Sequence, residues 1–423
     1  MNEKKTKYNK TYKVQLYPTK EQAKLMDTTF NCNRFLWNQI KAEHDEIYEK
    51  LKNDKDKLYT HKYKTEKEYK EEFPFLCEVP SRTLQQTRID FKQAQQNAFR
   101  RIRQGKKPGF PKFKKKSVCK DSYREPQVGN QVRVEENNTR LVLPKMKQIK
   151  IKGLSKNFEG KIKSVTVSKS KSGKYFASIL VEMENKITKE RKSDNILGID
   201  LGLKEFATCS NGEIITGIKE KMELLDKRVR QQNKHLSRKK RGSSRYEKCR
   251  IQLNRLYDKR QNYLNHFQWH LANKLASENQ VVSLENLNVA GMKQNRKLSR
   301  AIHNVNWSSF VVKLEQKAKE YDTEIYRINR FFPSSKMCSR CGTIKDDLKL
   351  SDRNYRCECG LEIDRDLNAA INIKKNYLVN KKSLEYSDYN KRGEIIRPRH
   401  LIYQSQGGFI EAFTNNIESN TFL

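Results

Sequence analysis

The sequence predicts an α/β protein of several domains, and three observations carry that prediction. Two short apolar runs, ILGIDLG at 196–202 and VVSLENL at 281–287, hold one carboxylate each, Asp200 and Glu285. A third acid, Asp366, opens the helical pattern DLNAAINI at 366–373. Four cysteines stand between the second acid and the third, in CSRCG at 338–342 and CECG at 357–360. A carboxylate in a buried strand is costly unless it is paired or holds a metal. Taken singly, each acid reads equally well as a satisfied or solvated side chain. Three of them on separate elements suggest a cage for hard divalent cations. Strand–acid, strand–acid and helix–acid, with mixed α/β sequence between, is the layout of an RNase H-like fold. Carboxylates so arranged hold two Mg2+ or Mn2+ ions about 3.5–4 Å apart, which activate a water and stabilise a leaving 3′ oxygen. None of the 7 histidines lies beside these acids, and such chemistry needs no histidine base.

Charge points the same way. Lys+Arg number 89 against Asp+Glu 50, a formal charge of +39 on 423 residues, and only 35% of the residues are hydrophobic. The usual partner of such a surface is a polyphosphate backbone. A membrane is the rival, but no run of about 18 apolar residues exists, and the start MNEKKTKYNK has no apolar signal region. The expectation is a soluble, cytoplasmic protein, nucleoid-associated in a prokaryote. Nine cysteines, five scattered singly, read as a metal pattern more than a disulfide framework.

In chain order, TYKVQLY (11–17) alternates as a strand that Pro18 stops, and Thr19 with Gln22 forms a capping-box pair. Met26 and Phe30 share one face of the helix that follows; a second helix has Phe35, Leu36 and Ile40 as core candidates. Residues 41–72 are polar with Tyr48, Tyr59, Tyr63 and Tyr69 interleaved, either a solvated hairpin or a face with stacking aromatics. Ser81 is the expected cap of a helix over 82–103, with Leu84, Phe91, Ala94, Ala98 and Ile102 inward. The loop GKKPGFPKFKKK (105–116) sets Lys106, Lys107 and Lys112 around Phe110 and Phe113, which suits phosphate and base contact. Strand patterns fill 131–184 and predict a small β-barrel or sheet, with 11–17 as a candidate to join it. A linker, KITKERKSDN (186–195), leads to the Asp200 strand, and GEIITG (212–217) is its expected partner. Residues 219–278 read as a helical hairpin with Met222, Leu225, Val229, Leu256, Tyr263, Phe267, Leu271 and Leu275 inward. Its tip carries Arg238, Lys239, Lys240 and Arg241, either a solvated turn or a backbone contact with nucleic acid. After Glu285 come a polar basic loop, a helix over 307–321 and a strand over 323–329; the tail beyond 376 lacks clear periodicity.

Two thiolate pairs about 15 residues apart, Cys338 with Cys341 and Cys357 with Cys359, match a closed tetrahedral zinc site, structural because it leaves no position for water. The one-residue gap of the second pair is tighter than the common knuckle. Asp364 and Asp366 compete for the third acid; Asp366 is favoured, beside the small Asn368-Ala369-Ala370 face that lets a helix pack close.

GIDLG, LENL, PSSKMCSRCG and CGLEIDRDLNAAINI together resemble TnpB, the transposon-associated relative of compact type V CRISPR effectors; YKVQLYPTKEQ and GKKPGFPKFKKK are similar too. The resemblance covers residues 10–375. It implies an RNA-guided DNA endonuclease with a RuvC nuclease domain at 195–334 and 361–376. A zinc-binding target-nucleic-acid insert would occupy 335–360. A β-barrel wedge domain would come from 1–17 and 105–190, a helical recognition domain from 18–104, and a polar tail from 377–423. Asp200, Glu285 and Asp366 would carry catalysis with two Mg2+ or Mn2+ ions, and the four cysteines one Zn2+. The partners would be a guide RNA from the transposon end and double-stranded DNA beside a short flanking motif, the protein acting as a monomer. Two other readings remain open: an RNA-guided repressor that does not cut, and a DNA transposase acting without a guide.

Overall fold

The computed structural model describes residues 7–116, 118–155, 158–184, 192–295, 298–349 and 352–391. The chain divides into two compact units, residues 1–186 and 187–423. Most of the expected linker at 186–195 and the part of the tail beyond 391 lie outside the described residues. Among the described residues, no helix is long and apolar enough to cross a membrane.

The first unit opens with β1 (Lys7–Tyr17) and α1 (Lys20–Leu51), capped by the expected box: Gln22 N–H donates to the Thr19 hydroxyl and Thr19 N–H to the Gln22 side chain. α1 is one helix, not two. No glycine or proline interrupts it, and it serves two cores in turn. Met26 and Phe30 enter the sheet core, while Leu36, Trp37 and Ile40 enter a helical core. Buried Asn33, between them, is satisfied by Thr29 and Thr83. After α2 (Lys55–Thr60), the helical core is completed by α3 (Glu66–Glu72), a short 3-10 turn at Pro74–Glu78 and α4 (Ser81–Arg103). Two of the interleaved tyrosines turn inward: Tyr69 is buried with its hydroxyl on Glu43, and Tyr63 stacks on His44 at 3.6 Å. Ser81 does not cap α4; it is the first helical residue, with its hydroxyl taken by Lys70. Ile102 is 47% exposed, because the last turn of α4 outruns its core.

The strands β2 (Ser122–Pro126), β3 (Arg133–Glu135), β4 (Arg140–Leu143), β5 (Lys147–Lys152), β6 (Lys161–Lys169) and β7 (Tyr175–Glu184) join β1. They make a seven-stranded antiparallel sheet in the order β2-β6-β7-β1-β5-β4-β3. Side chains from all seven strands meet in one core, so the sheet curls. The strand at 122–126 has too few apolar residues to announce itself in the sequence.

In the second unit, β8 (Ile196–Leu201), β9 (Ala207–Cys209), β10 (Ile214–Ile215), β11 (Val281–Leu284) and β12 (Glu324–Arg327) form a mixed sheet in the order β10-β9-β8-β11-β12. β8, β11 and β12 run parallel. The hairpin α5 (Lys219–Ser237) and α6 (Ser244–Glu278) follows, then α7 (Val289–Met292), α8 (Ser299–Val305) and α9 (Trp307–Tyr321). Within α6 the apolar stripe runs through Leu253 and Leu264; Leu256 is half-buried and Tyr263 faces out. α8 occupies what reads as loop, its Asn304 tied to Asp226 and Arg260. A small hairpin, β13 (Asn354–Arg356) with β14 (Glu362–Asp364), precedes α10 (Arg365–Lys391), which runs past residue 376 with Tyr377 buried.

One buried acid in the first unit has a measurable consequence. Glu125 on β2 is 1% exposed and its Oε1 has no hydrogen-bond partner among the described residues. Burial pushes its carboxyl up to about 7, against a smaller opposing pull from Arg82. A carboxyl raised in the folded state is protonated there while ionised in the unfolded chain, so stability is full below the ordinary range and falls as pH rises to about 7. Glu125→Gln should therefore stabilise the unit by up to about 3 kcal/mol at pH 8 and by little at pH 4.5. Thermal melts of both proteins across that range test this; parallel curves with no gap at pH 8 contradict it.

Candidate functional site

Local sequence sets where each acid stands. β8 carries Asp200 beside the central parallel pair, and Glu285 follows the last residue of β11. Asp366 lies in the first turn of α10. Asp364 accepts the backbone N–H groups of Asp366 and Leu367 at 2.9 and 3.0 Å, so Asp364 caps the helix. Asp366 is paired loosely with Arg365 at 3.5 Å and Arg353 at 3.9 Å.

α10 lies very close to the sheet. A Cβ at Gly198 would fall within 3.0 Å of the Ala370 carbonyl and 2.6 Å from the Lys374 amide nitrogen. Only a glycine fits this crossing, against Ala370 and Lys374 of the helix. Ser283 on β11 adds a hydroxyl donated to the Ile373 carbonyl at 3.1 Å. The acids consequently feel one another. Burial first, then the charges of Glu285 and Asp366, hold the Asp200 carboxyl well above the usual range. Burial also raises the Glu285 carboxyl, opposed by a 2.6 Å hydrogen bond from the Ser334 hydroxyl to its Oε1. Hard carboxylate oxygens whose ionisation is disfavoured by burial and like charge fit a divalent cation, which supplies the missing positive charge. The three carboxylates stand wider than the cysteine cluster.

The four cysteines are tighter. Among the described residues they are the one group of at least three His, Cys, Asp or Glu side chains whose ligand atoms all lie within 4.8 Å of one another. Cys338 and Cys359 are 3.6 Å apart at sulfur, Cys341 and Cys357 3.5 Å. Gly342 and Gly360 adopt positive φ, 79° and 82°, which lets each pair turn back on itself. The one-residue gap before Cys359 thus still delivers its sulfur. This cluster could bind a metal ion.

α10 also fastens the segment that leads into the cysteines. Asn368 and Asn372, one turn apart and buried, donate to the Met337 carbonyl at 2.7 and 2.6 Å. Asn372 also donates to the Ser334 carbonyl at 2.8 Å, and Asn368 accepts the Ser339 amide at 2.9 Å. Ser334, Asn372 and Arg353 are not singled out by sequence. The signal available was the pair of asparagines four residues apart on an otherwise apolar helix.

The basic residues stay outside. In the first unit the 105–116 loop is pinned to α1 by Trp37 donating to the Lys112 carbonyl at 3.0 Å and by Asn38 bonding the Lys114 main chain on both sides. Lys106, Lys107, Lys112, Phe110 and Phe113 remain exposed around that anchor. In the second unit Arg238, Lys239, Lys240 and Arg241 are exposed at the tip between α5 and α6.

The close crossing generates a test. Gly198→Ala should push α10 outward and cost about 1–3 kcal/mol or more by overpacking. Melting with unchanged stability contradicts the crossing.

Comparison with known proteins places the chain. Residues 178–296 match a family model described as "Probable transposase", and 307–373 match "Cas12f1-like, TNB domain". Residues 8–53 match "Helix-turn-helix domain", although here they form β1 and the single helix α1. A protein of Streptomyces pristinaespiralis described as "Putative RNA-guided DNA endonuclease" is 33% identical, covering 86% of this chain and 88% of its own. InsQ of Escherichia coli (strain K12), described in the same words, is 27% identical over 86% and 90%. The fold is similar to that solved in the "Cryo-EM structure of the Cas12f1-sgRNA-target DNA complex", at 15% identity and TM-score 0.53 over 88% of this chain and 99% of that one. On this likeness, which spans both units, the chain belongs to the TnpB family.

Proposed function

We propose that this protein is an RNA-guided, divalent-metal-dependent DNA endonuclease associated with a transposon, cutting target DNA beside a short flanking motif. The observation that carries this is the gathering of Asp200, Glu285 and Asp366 by the crossing of α10 over β8 and β11. Membership of the family supports it, since relatives matched along most of the chain are described as RNA-guided endonucleases.

On this reading the second unit is a RuvC-like nuclease domain, 195–334 with 361–376, interrupted at 335–360 by an insert whose four cysteines hold one Zn2+. Residues 1–17 with 105–190 form the wedge, and 18–104 the recognition domain. Asp200, Glu285 and Asp366 would hold Mg2+ or Mn2+, which supplies Lewis-acid activation of water and of the leaving oxygen. The chain's own part is to hold those carboxylates apart from competing partners. Asp364 is occupied by the helix cap, leaving Asp366 with only long ion pairs. Ser334 occupies one oxygen of Glu285. The exposed lysines and phenylalanines of 105–116, and the tip at 238–241, would grip phosphates and bases of the guide RNA and the DNA.

Asp200→Ala should lower cleavage by at least about a thousandfold, equivalent to about 4 kcal/mol, while leaving RNA binding intact. Retained cleavage, or lost RNA binding, sinks the assignment. Wild-type protein that binds RNA and target but cuts under neither Mg2+ nor Mn2+ is instead a guided repressor; strand transfer of transposon ends without RNA is instead a transposase. Replacing Lys106, Lys107 and Lys112 with alanine should reduce the slope of log affinity against log salt by roughly 0.7–0.9 for each phosphate no longer neutralised. An unchanged slope in a filter-binding titration removes the loop from the interface.

A further inference from the structure

Glu285 lies one residue beyond β11, where the ladder that fixes Leu284 against Ile199 and Arg327 has ended. Its side chain takes a partner from outside the sheet, Ser334, 4% exposed, whose hydroxyl donates to Glu285 Oε1 at 2.6 Å. Ser334 is itself immobilised from two sides. Its carbonyl accepts Asn372 Nδ2 at 2.8 Å, and its chain is turned by Pro333, whose carbonyl accepts the amides of Lys336 and Met337 at 3.0 and 2.9 Å.

We infer that Ser334 is a positioning residue for Glu285, held in place by Asn372 of α10. The inference rests on the reading of Glu285 as a ligand of the divalent ion. A single donated hydrogen bond fixes one oxygen of a carboxylate whose charge reaches Asp200, and leaves the other to an ion. Outer partners of this kind orient ligating groups and set their affinity for the ion. The arrangement also makes one segment answer to both metal sites. Residues 334–339 begin at the hydroxyl on Glu285 and end beyond Cys338, and Asn368 and Asn372 hold their backbone from the helix that carries Asp366. Disturbing the cysteine cluster then loosens Glu285 through this segment.

The test uses the full chain in three variants, Ser334→Ala, Ser334→Thr and Glu285→Gln, beside wild type. Mn2+ binding is followed by electron paramagnetic resonance, and the Mg2+ concentration for half-maximal cleavage is measured on protein loaded with its co-purifying RNA. Ser334→Ala should weaken Mn2+ binding and raise the Mg2+ requirement about 10- to 100-fold, with melting temperature, zinc content and RNA binding unchanged. Ser334→Thr, which keeps the hydroxyl, should lie near wild type. Mn2+ affinity unchanged in Ser334→Ala overturns the inference. So does an equal loss in Ser334→Ala and Ser334→Thr, or a loss explained by release of zinc. Full cleavage by Glu285→Gln overturns the underlying reading of the acid instead.

Discussion

The second unit depends on one absence of atoms. Gly198 has no side chain, and α10 uses the space, bringing the main chain of Ala370 and Lys374 against β8. Close crossings of helix on sheet are held by dispersion over many small contacts, and one methyl group in the wrong place costs more than any single contact contributes. Here the helix that comes close is the one carrying Asp366, and the strand it touches carries Asp200. Ser283 ties the same helix to β11, the strand that Glu285 follows. One packing decision therefore sets the spacing of three acids from three separate parts of the chain. Burial opposes the charge of Asp200 and Glu285, which on the proposed reading a divalent cation offsets.

The helix has a second duty on its polar side. Asn368 and Asn372 are buried side chains that a helix core would ordinarily exclude, and each donates to carbonyl groups of the segment entering the cysteine hairpin, while Asn372 Oδ1 has no hydrogen-bond partner among the described residues. A buried amide left without such partners costs about 1–3 kcal/mol, so the pairing specifies one register of segment on helix. The first unit shows the opposite arrangement. There α1 spans two cores without a break, and the basic loop at 105–116 is clamped through its backbone by Trp37 and Asn38 while Lys106, Lys107 and Lys112 stay in solvent.

Much of the candidate site was legible because its residue types contradict their surroundings. An acid within ILGIDL and another ending VVSLE stand out in apolar strands, and paired cysteines with glycine after each pair have few other uses. The capping box at Thr19 was equally plain. What escaped depends on partners remote in sequence. Ser334 looks like a turn residue until Glu285, 49 positions away, is placed beside it. Tyr63 and Tyr69 belong to a charged stretch and turn inward only because His44 and Glu43 await them. The second helix expected around Phe35 is the continuation of α1 through polar Asn33, whose needs are met by Thr29 and Thr83. In α6, a long helix with polar faces, the apolar stripe is centred on Leu253 and Leu264, which leaves Leu256 half-buried and Tyr263 outside.

The central claim is that α10 assembles Asp200, Glu285 and Asp366 into one cation site. Its most direct test is the anomalous scattering of Mn2+ in crystals of the protein. Manganese peaks coordinated jointly by Asp200, Glu285 and Asp366, and lost in crystals of Asp200→Ala, are the predicted result. Manganese bound elsewhere, with these three carboxylates free of it at millimolar concentration, contradicts the account.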